Sequence, residues 1–263
     1  MKPQALILQA RGTNRDFDVA EAIRMAGMDA IFIPLNELRI NKKHLLDFQM
    51  LILPGGFSYA DSLGAGKLLA LDLNSYFKEE ISVFIESGKP VIGICNGFQA
   101  LVKSGILPGD GEWNLENGSL PATLTFNEKG RFECRWVYIK PVSQKCVWTK
   151  GLDELIECPI AHGEGNFQTI NHKLLTMIES NDQIALTYTH TDGSSANGEY
   201  PINPNGSILD IAGICNPQGN VLGLMPHPEN HIRAFQHPNW TRGVSGHSGL
   251  VLFQNGVRYA SSL

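Results

Sequence analysis

Short apolar runs alternate with amphipathic stretches through the first hundred residues, and that alternation leaves few folds open. "ALILQA" (Ala5 to Ala10) reads as a buried strand, "DVAEAIRMAGM" as an amphipathic helix, "DAIFIPL" as a second strand and "FQMLILPGG" as a third. A helix through "YFKEEISVFIESG" and a fourth strand, "KPVIGIC", complete the run. Strands separated by helical crossovers pair in parallel, because each helix carries the chain back to the same end of the sheet. The expected fold class is therefore α/β, with a doubly wound, mostly parallel sheet.

After Gly109 the texture changes. "RFECRWVYIKPV" alternates as an antiparallel strand does, and "NPNGS" and "NPQGN" supply turn residues suited to hairpins. The second half is expected to add antiparallel strands to the same sheet and to form a smaller flanking sheet. From His237 onward the chain reads as an irregular tail closed by a short apolar element. A length of 263 residues, 43% of them hydrophobic, suits one core. One domain over residues 1–263 is expected, with 230–263 as a C-terminal extension.

Charge and cysteine usage exclude several function classes. The net charge is −5 and the basic residues are scattered, so no basic stripe exists to neutralise a nucleic acid backbone. Met1 to Ala10 holds one lysine and an apolar run too short for a signal-peptide core, and no later stretch approaches a membrane span. A cytoplasmic location is expected, in which the sequons at Asn117, Asn205 and Asn239 have no meaning. Cys95, Cys134, Cys146, Cys158 and Cys215 are odd in number and widely spaced, unlike a disulfide framework or a structural zinc site.

Cys95 is the exception among these thiols. In "VIGICNGFQA" it falls on the sharp turn between a strand and a helix, flanked by Gly93 and Gly97, the arrangement of a nucleophile elbow. The helix N-terminus beyond it favours thiolate over thiol. Gly-x-Cys-x-Gly is a short pattern that also suits an inert buried cysteine, so partners decide. Of eight histidines, His227 in "MPHPE" stands out: the prolines push it toward an extended backbone, where His227 and Glu229 share a face. A carboxylate so placed orients and stabilises a charged imidazole. In "LPGGFS" the backbone N–H of Gly56 is unobstructed at a strand's carboxyl end, and Gly56 and Asn96 N–H groups are candidates for an oxyanion hole.

Two patterns are decoys. "GAGKLL" resembles a phosphate loop, but Asp61 stands where its first glycine is needed and Leu68 where Ser or Thr would hold magnesium. His162 and Glu164 have no third ligand spaced with them, so no metal is expected.

Taken together, "LPGGFSYADSLGAG", "GICNGFQALVKSGILPG", "PIAHGEGNF", "NPNGS" and "IAGICNPQGNVLGLMPHPE" resemble the glutaminase subunits of phosphoribosylformylglycinamidine synthase, class I (triad) glutamine amidotransferases of purine biosynthesis. The resemblance covers about Ala5 to Glu229, and departs where the family often has an arginine and this chain has Gly64. It implies that Cys95 attacks the side-chain amide of L-glutamine while His227, oriented by Glu229, moves the protons. It also implies that Gln99 contacts the bound glutamine and that backbone around Gly163 to Gly165 holds its α-amino and carboxylate groups. Ammonia would pass to a separate synthetase subunit, with or without a small adaptor subunit. No cofactor is implied for this chain; ATP and magnesium would belong to the synthetase, which converts formylglycinamide ribonucleotide to the amidine. Two rivals are a free-standing cysteine hydrolase on the same fold and a noncatalytic interaction subunit. The intact Cys95, His227 and Glu229 speak against the second.

Overall fold

The structure, a computed structural model, describes residues 3–40, 44–109 and 120–263; the sequon at Asn117 lies outside them. The chain runs β1 (Gln4–Gln9), α1 (Asp16–Ala26), β2 (Asp29–Pro34), α2 (Leu35–Arg39), β3 (Met50–Leu53), α3 (Lys67–Tyr76), α4 (Lys78–Glu86), β4 (Val91–Ile94) and α5 (Asn96–Lys103). It continues through β5 (Ala122–Thr125), β6 (Glu133–Pro141), β7 (Ile156–His162), β8 (Asn166–Thr169), α6 (His172–Ser180), β9 (Ile184–Thr189), β10 (Ile211–Cys215), β11 (Val221–Leu224) and α7 (Leu250–Ala260).

One nine-stranded sheet has the order β2-β1-β3-β4-β11-β10-β9-β6-β7. It is parallel from β2 through β11 and antiparallel from there to β7. The expected division therefore holds: the βαβ half builds the parallel part, and β6, from "RFECRWVYIKPV", pairs antiparallel with both β7 and β9. The flanking sheet is the antiparallel pair β5-β8. It is fastened to α5 by Phe98, whose ring stacks on that of Phe167 with centroids 6.4 Å apart.

The central strands are apolar because they are covered on both faces. Val91, Ile92, Ile94, Val221, Leu222 and Leu224 are all fully buried. α1 follows the amphipathic pattern, burying Val19, Ala20 and Ile23, and ends where Gly27 takes a φ of 105° and Met28 N–H donates to Ile23 O. The "YFKEEISVFIESG" helix starts later than expected, because Phe77 (φ −130°) breaks the chain into α3 and α4.

One expectation fails in detail. "NPQGN" does turn the β10-β11 hairpin, with Gly219 N–H donating to Asn216 O. "NPNGS" does not: Asn203, Asn205 and Ser207 are buried, and their side chains hold neighbouring loops instead of closing a hairpin. The residues after His237 follow the expected course, an irregular stretch holding one 3-10 turn, Trp240–Arg242, and closed by the apolar helix α7. α7 packs on α1 with Leu252 and Phe253 fully buried, and Asn255 Nδ2 donates to Trp148 O and Lys150 O. The loop before it is bonded across β7, Glu157 N–H donating to His247 O at 2.8 Å. Among the described residues no helix is long and apolar enough to cross a membrane.

Candidate active site

The parallel pairing of β4 with β11 creates the site. Ile94 lies opposite Leu224, and Cys95 N–H donates to Leu224 O at 2.8 Å, so the residues leaving both strands emerge side by side. Cys95 follows one strand at once, and His227 follows the other by three residues.

Cys95 sits in the elbow the sequence suggested, with φ 50° and ψ −103°, a strained conformation for a residue with a side chain. The flanking glycines are needed for close packing. A Cβ at Gly97 would lie 2.0 Å from Leu53 O, and one at Gly93 would lie 2.8 Å from the Gly97 backbone. Larger residues would lift α5 off β3 and β4. α5 begins directly after the cysteine, so the thiol stands at a helix N-terminus.

His227 is 3% exposed, and its backbone is held by Pro159 O at 2.8 Å. Its Nδ1 lies 2.7 Å from Glu229 Oε1, and its imidazole interacts electrostatically with Cys95, whose thiol donates to Ala161 O at 3.8 Å. Burial alone would lower the imidazole pKa; the Glu229 carboxylate and Cys95 outweigh it and push it up to about 10. The His227–Glu229 contact arises differently from the expected extended segment: Pro228–Asn230 is a 3-10 turn, with Asn230 N–H donating to His227 O. The turn, rather than strand alternation, brings residues 227 and 229 together.

A pocket of about 160 Å³ opens onto the thiol, with Gly56, Asp61, Gln99, His162, Gly163 and Glu164 in its wall. Gly56 lies beside Thr13 in a bridge whose bonds run through its neighbours, Phe57 N–H to Gly12 O and Asn14 N–H to Gly55 O, which leaves the Gly56 N–H outside the ladder. Asn96 is the first residue of α5, where an N–H has no intrahelical acceptor. Its side chain accepts from Ser58 N–H and donates to Asp61 Oδ1 and Gln99 Oε1. Gln99 lines the pocket, but its amide is held on both sides, Nε2 donating to Glu164 O at 2.6 Å. Gly163 lines the pocket as well. Gly165 faces the protein: its N–H donates to Asn127 Oδ1 and its carbonyl accepts from Ser207 Oγ.

Five residues that sequence reasoning did not place in the site contribute to it. Asn127 bonds His162 O and Gly165 N–H and fixes the His162 ring through Nδ1. His162 is buried, and burial followed by the charge of His227 lowers its pKa to about 3, so it is a neutral imidazole whose Nε2 has no partner among the described residues. Lys103 pairs with Glu164 at 3.1 Å. Asp61 closes the wall opposite. Glu164 and His162 lie in the "AHGEG" segment, where a signal existed; Asn127 and Lys103 had none. Among the described residues no group of three or more His, Cys, Asp or Glu side chains could hold a metal ion.

The sequence profile of the CobB/CobQ-like glutamine amidotransferase domain matches residues 2–260. The chain belongs to that family. This amidotransferase domain is 56% identical over 241 residues to the phosphoribosylformylglycinamidine synthase subunit PurQ of Treponema denticola, covering 88% of this chain and 89% of the other. It is 44% identical over 265 residues to the same subunit of Dehalococcoides mccartyi, covering 98% of each. Among solved structures, a chain in the structure of PurLQS from Thermotoga maritima superposes with a TM-score of 0.74 at 31% identity, covering 98% of this amidotransferase and 99% of that chain.

Proposed function

We propose that this amidotransferase is the glutaminase subunit of a cytoplasmic phosphoribosylformylglycinamidine synthase, hydrolysing L-glutamine and passing the ammonia to a synthetase subunit. The observation that supports the chemistry is Cys95 in the wall of a pocket, with the His227–Glu229 pair, 2.7 Å apart, on the neighbouring strand end. Cys95 attacks the carboxamide carbon, and the tetrahedral oxyanion is met by the N–H groups of Gly56 and Asn96. Such donors lower the barrier by about 3–4 kcal/mol each. The C–N bond breaks as His227 delivers a proton to the leaving nitrogen, and ammonia departs from a glutamyl thioester on Cys95. Water then attacks the thioester carbon, its proton passing to His227, and glutamate leaves with the thiolate restored.

Gln99 shapes this pocket from one helical turn beyond the nucleophile, and the strand end at Gly163 supplies backbone to the glutamine. ATP and magnesium serve the synthetase, and the chain needs no cofactor of its own. The relatives' extent supports the subunit assignment, since they match this chain nearly end to end and carry the synthase subunit name.

Reconstitution with the synthetase tests the assignment. Cys95→Ala is expected to abolish glutamine-driven amidine synthesis while ammonium-driven synthesis continues, because only thioester formation is lost. Glutaminase turnover in the wild type is expected to rise on adding the synthetase; equal turnover with and without it favours a free-standing hydrolase. A Cys95→Ala protein with normal glutamate release sinks the assignment.

A further inference from the structure

The pocket wall carries two carboxylates whose surroundings differ. Glu164 is neutralised by Lys103, 3.1 Å from its Oε2, and its other oxygen faces Ala65 N–H. Asp61 is hydrogen-bonded by Asn96 Nδ2 at 3.0 Å, and Lys103 attracts it only from a distance, without forming an ion pair. Among the described residues it has no ion-pair partner. It is half-buried, so desolvation and the neighbouring Glu164 charge both work against its ionised form, which raises its pKa. A carboxylate in this setting is electrostatically incomplete, and a cation entering the pocket completes it.

Its placement is enforced by the backbone. Tyr59, Ala60 and Asp61 have φ values of 55°, 55° and 52°, a left-handed turn of three residues with side chains, each costing about 1–2 kcal/mol. The turn is tied down at both ends: Ser58 N–H donates to Asn96 Oδ1 and Tyr59 Oη to Asp72 Oδ2 at its start, and Gly64 N–H donates to Asp61 O at 2.9 Å at its close. Asn96 follows the nucleophile directly and holds Asp61 by the other end of the same amide, so the carboxylate is bound to the first turn of α5. His162, another residue of the pocket wall, has a buried Nε2 with no partner among the described residues. Asp61 remains the carboxylate of the wall without an ion-pair partner, suited to a ligand that carries a cationic N–H group.

We infer that Asp61 is the specificity residue for the α-ammonium group of the substrate, forming an ion pair with the amino acid whose side-chain amide reaches Cys95. This presupposes glutamine as the substrate proposed above. A pocket with this carboxylate selects an α-amino acid over an amide of the same length without the ammonium, because the analogue leaves Asp61 desolvated and unpaired. Gln99, which the resemblance assigns to glutamine contact, is tied into the same wall through Asn96 and the Glu164 carbonyl.

The test uses the assembled complex with the synthetase and two substrates, L-glutamine and glutaramate, its analogue without the α-amino group. Asp61→Asn keeps the oxygen that accepts from Asn96 and removes only the charge. The ratio of kcat/KM for L-glutamine to that for glutaramate is expected to fall at least tenfold in Asp61→Asn, mainly through KM for glutamine, and to be largely retained in Asp61→Glu. A merely structural role lowers both substrates alike, so an unchanged ratio overturns the inference. Wild-type complex that releases no glutamate from L-glutamine overturns the glutaminase assignment instead, whatever Asp61 does.

Discussion

His227 Nδ1 lies 2.7 Å from one oxygen of Glu229, while the other oxygen is buried with no partner among the described residues. A fully buried carboxylate with a single hydrogen bond depends on the cationic form of that partner for its charge balance. His227 transfers the protons and Glu229 acts through it. Replacing His227 with Ala is expected to cost on the order of 10⁶ in glutaminase kcat and replacing Glu229 with Ala one to two decades less, following the asymmetry of other triads. Steady-state glutamate release by both variants checks this, and equal losses would make Glu229 a direct participant.

The same pair sets a pH dependence of stability. The folded pKa of His227 is raised from an ordinary value near 6.5 to about 10: burial opposes the rise, and Glu229 and Cys95 produce it. A raised folded pKa means that the stabilisation is complete below pH 6.5, declines between about 6.5 and 10, and is absent above. In Glu229→Gln burial dominates, so this decline should vanish. The wild-type melting temperature, minus that of Glu229→Gln, is expected to fall across this window by several degrees, at about 2–4 °C per kcal/mol for a domain of this size. A difference that stays flat from pH 6 to 10.5 contradicts the pairing.

At Gly97 a Cβ meets Leu53 O at 2.0 Å, whereas at Gly130 (φ 65°) it meets nothing within 4 Å. Gly130→Ala should cost only the left-handed backbone penalty, about 1–2 kcal/mol. Gly97→Ala must move backbone against backbone beside the nucleophile, and about 3 kcal/mol or more is expected, with loss of glutaminase activity. Urea unfolding of the two variants compares them directly; similar midpoints would mean that the elbow packing is loose.

The C-terminal helix is expected to contribute to global stability. Phe253 is fully buried and α7 lies against α1. Phe253→Ala should therefore destabilise the whole chain by about 3–5 kcal/mol in a single transition. A variant that unfolds at the wild-type midpoint, or in a separate early step, would make residues 230–263 an independent appendage.

Local chemistry was legible in the sequence because it is written in neighbouring residues. The apolar runs of "ALILQA" and "DAIFIPL" became β1 and β2, and the glycines two residues either side of Cys95 marked a strand-to-helix turn, since only a bare backbone fits there. "MPHPE" announced a histidine with a carboxylate beside it, although the 3-10 turn that joins them was misread as extended chain. "NPNGS" misled for a related reason: turn residues announce a bend, but not whether it is tight and exposed or buried among loops.

Tertiary structure decided what faces what. Cys95 and His227 meet because β11 pairs in parallel with β4, Leu224 opposite Ile94, and nothing in either segment specifies that register. The pairing follows from burying both strands in the middle of one sheet. The charge state of each pocket group was likewise beyond the sequence. Lys103 pairs with Glu164 and leaves Asp61 without an ion-pair partner among the described residues only because α5, the β7–β8 connection and the turn at Asp61 converge. Burial makes His162 a neutral imidazole, whereas Glu229 and Cys95 outweigh burial and make His227 a cation, two histidines whose local sequence shows no such difference. Electrostatics depends on distance and desolvation, and both come into being when the chain closes on itself.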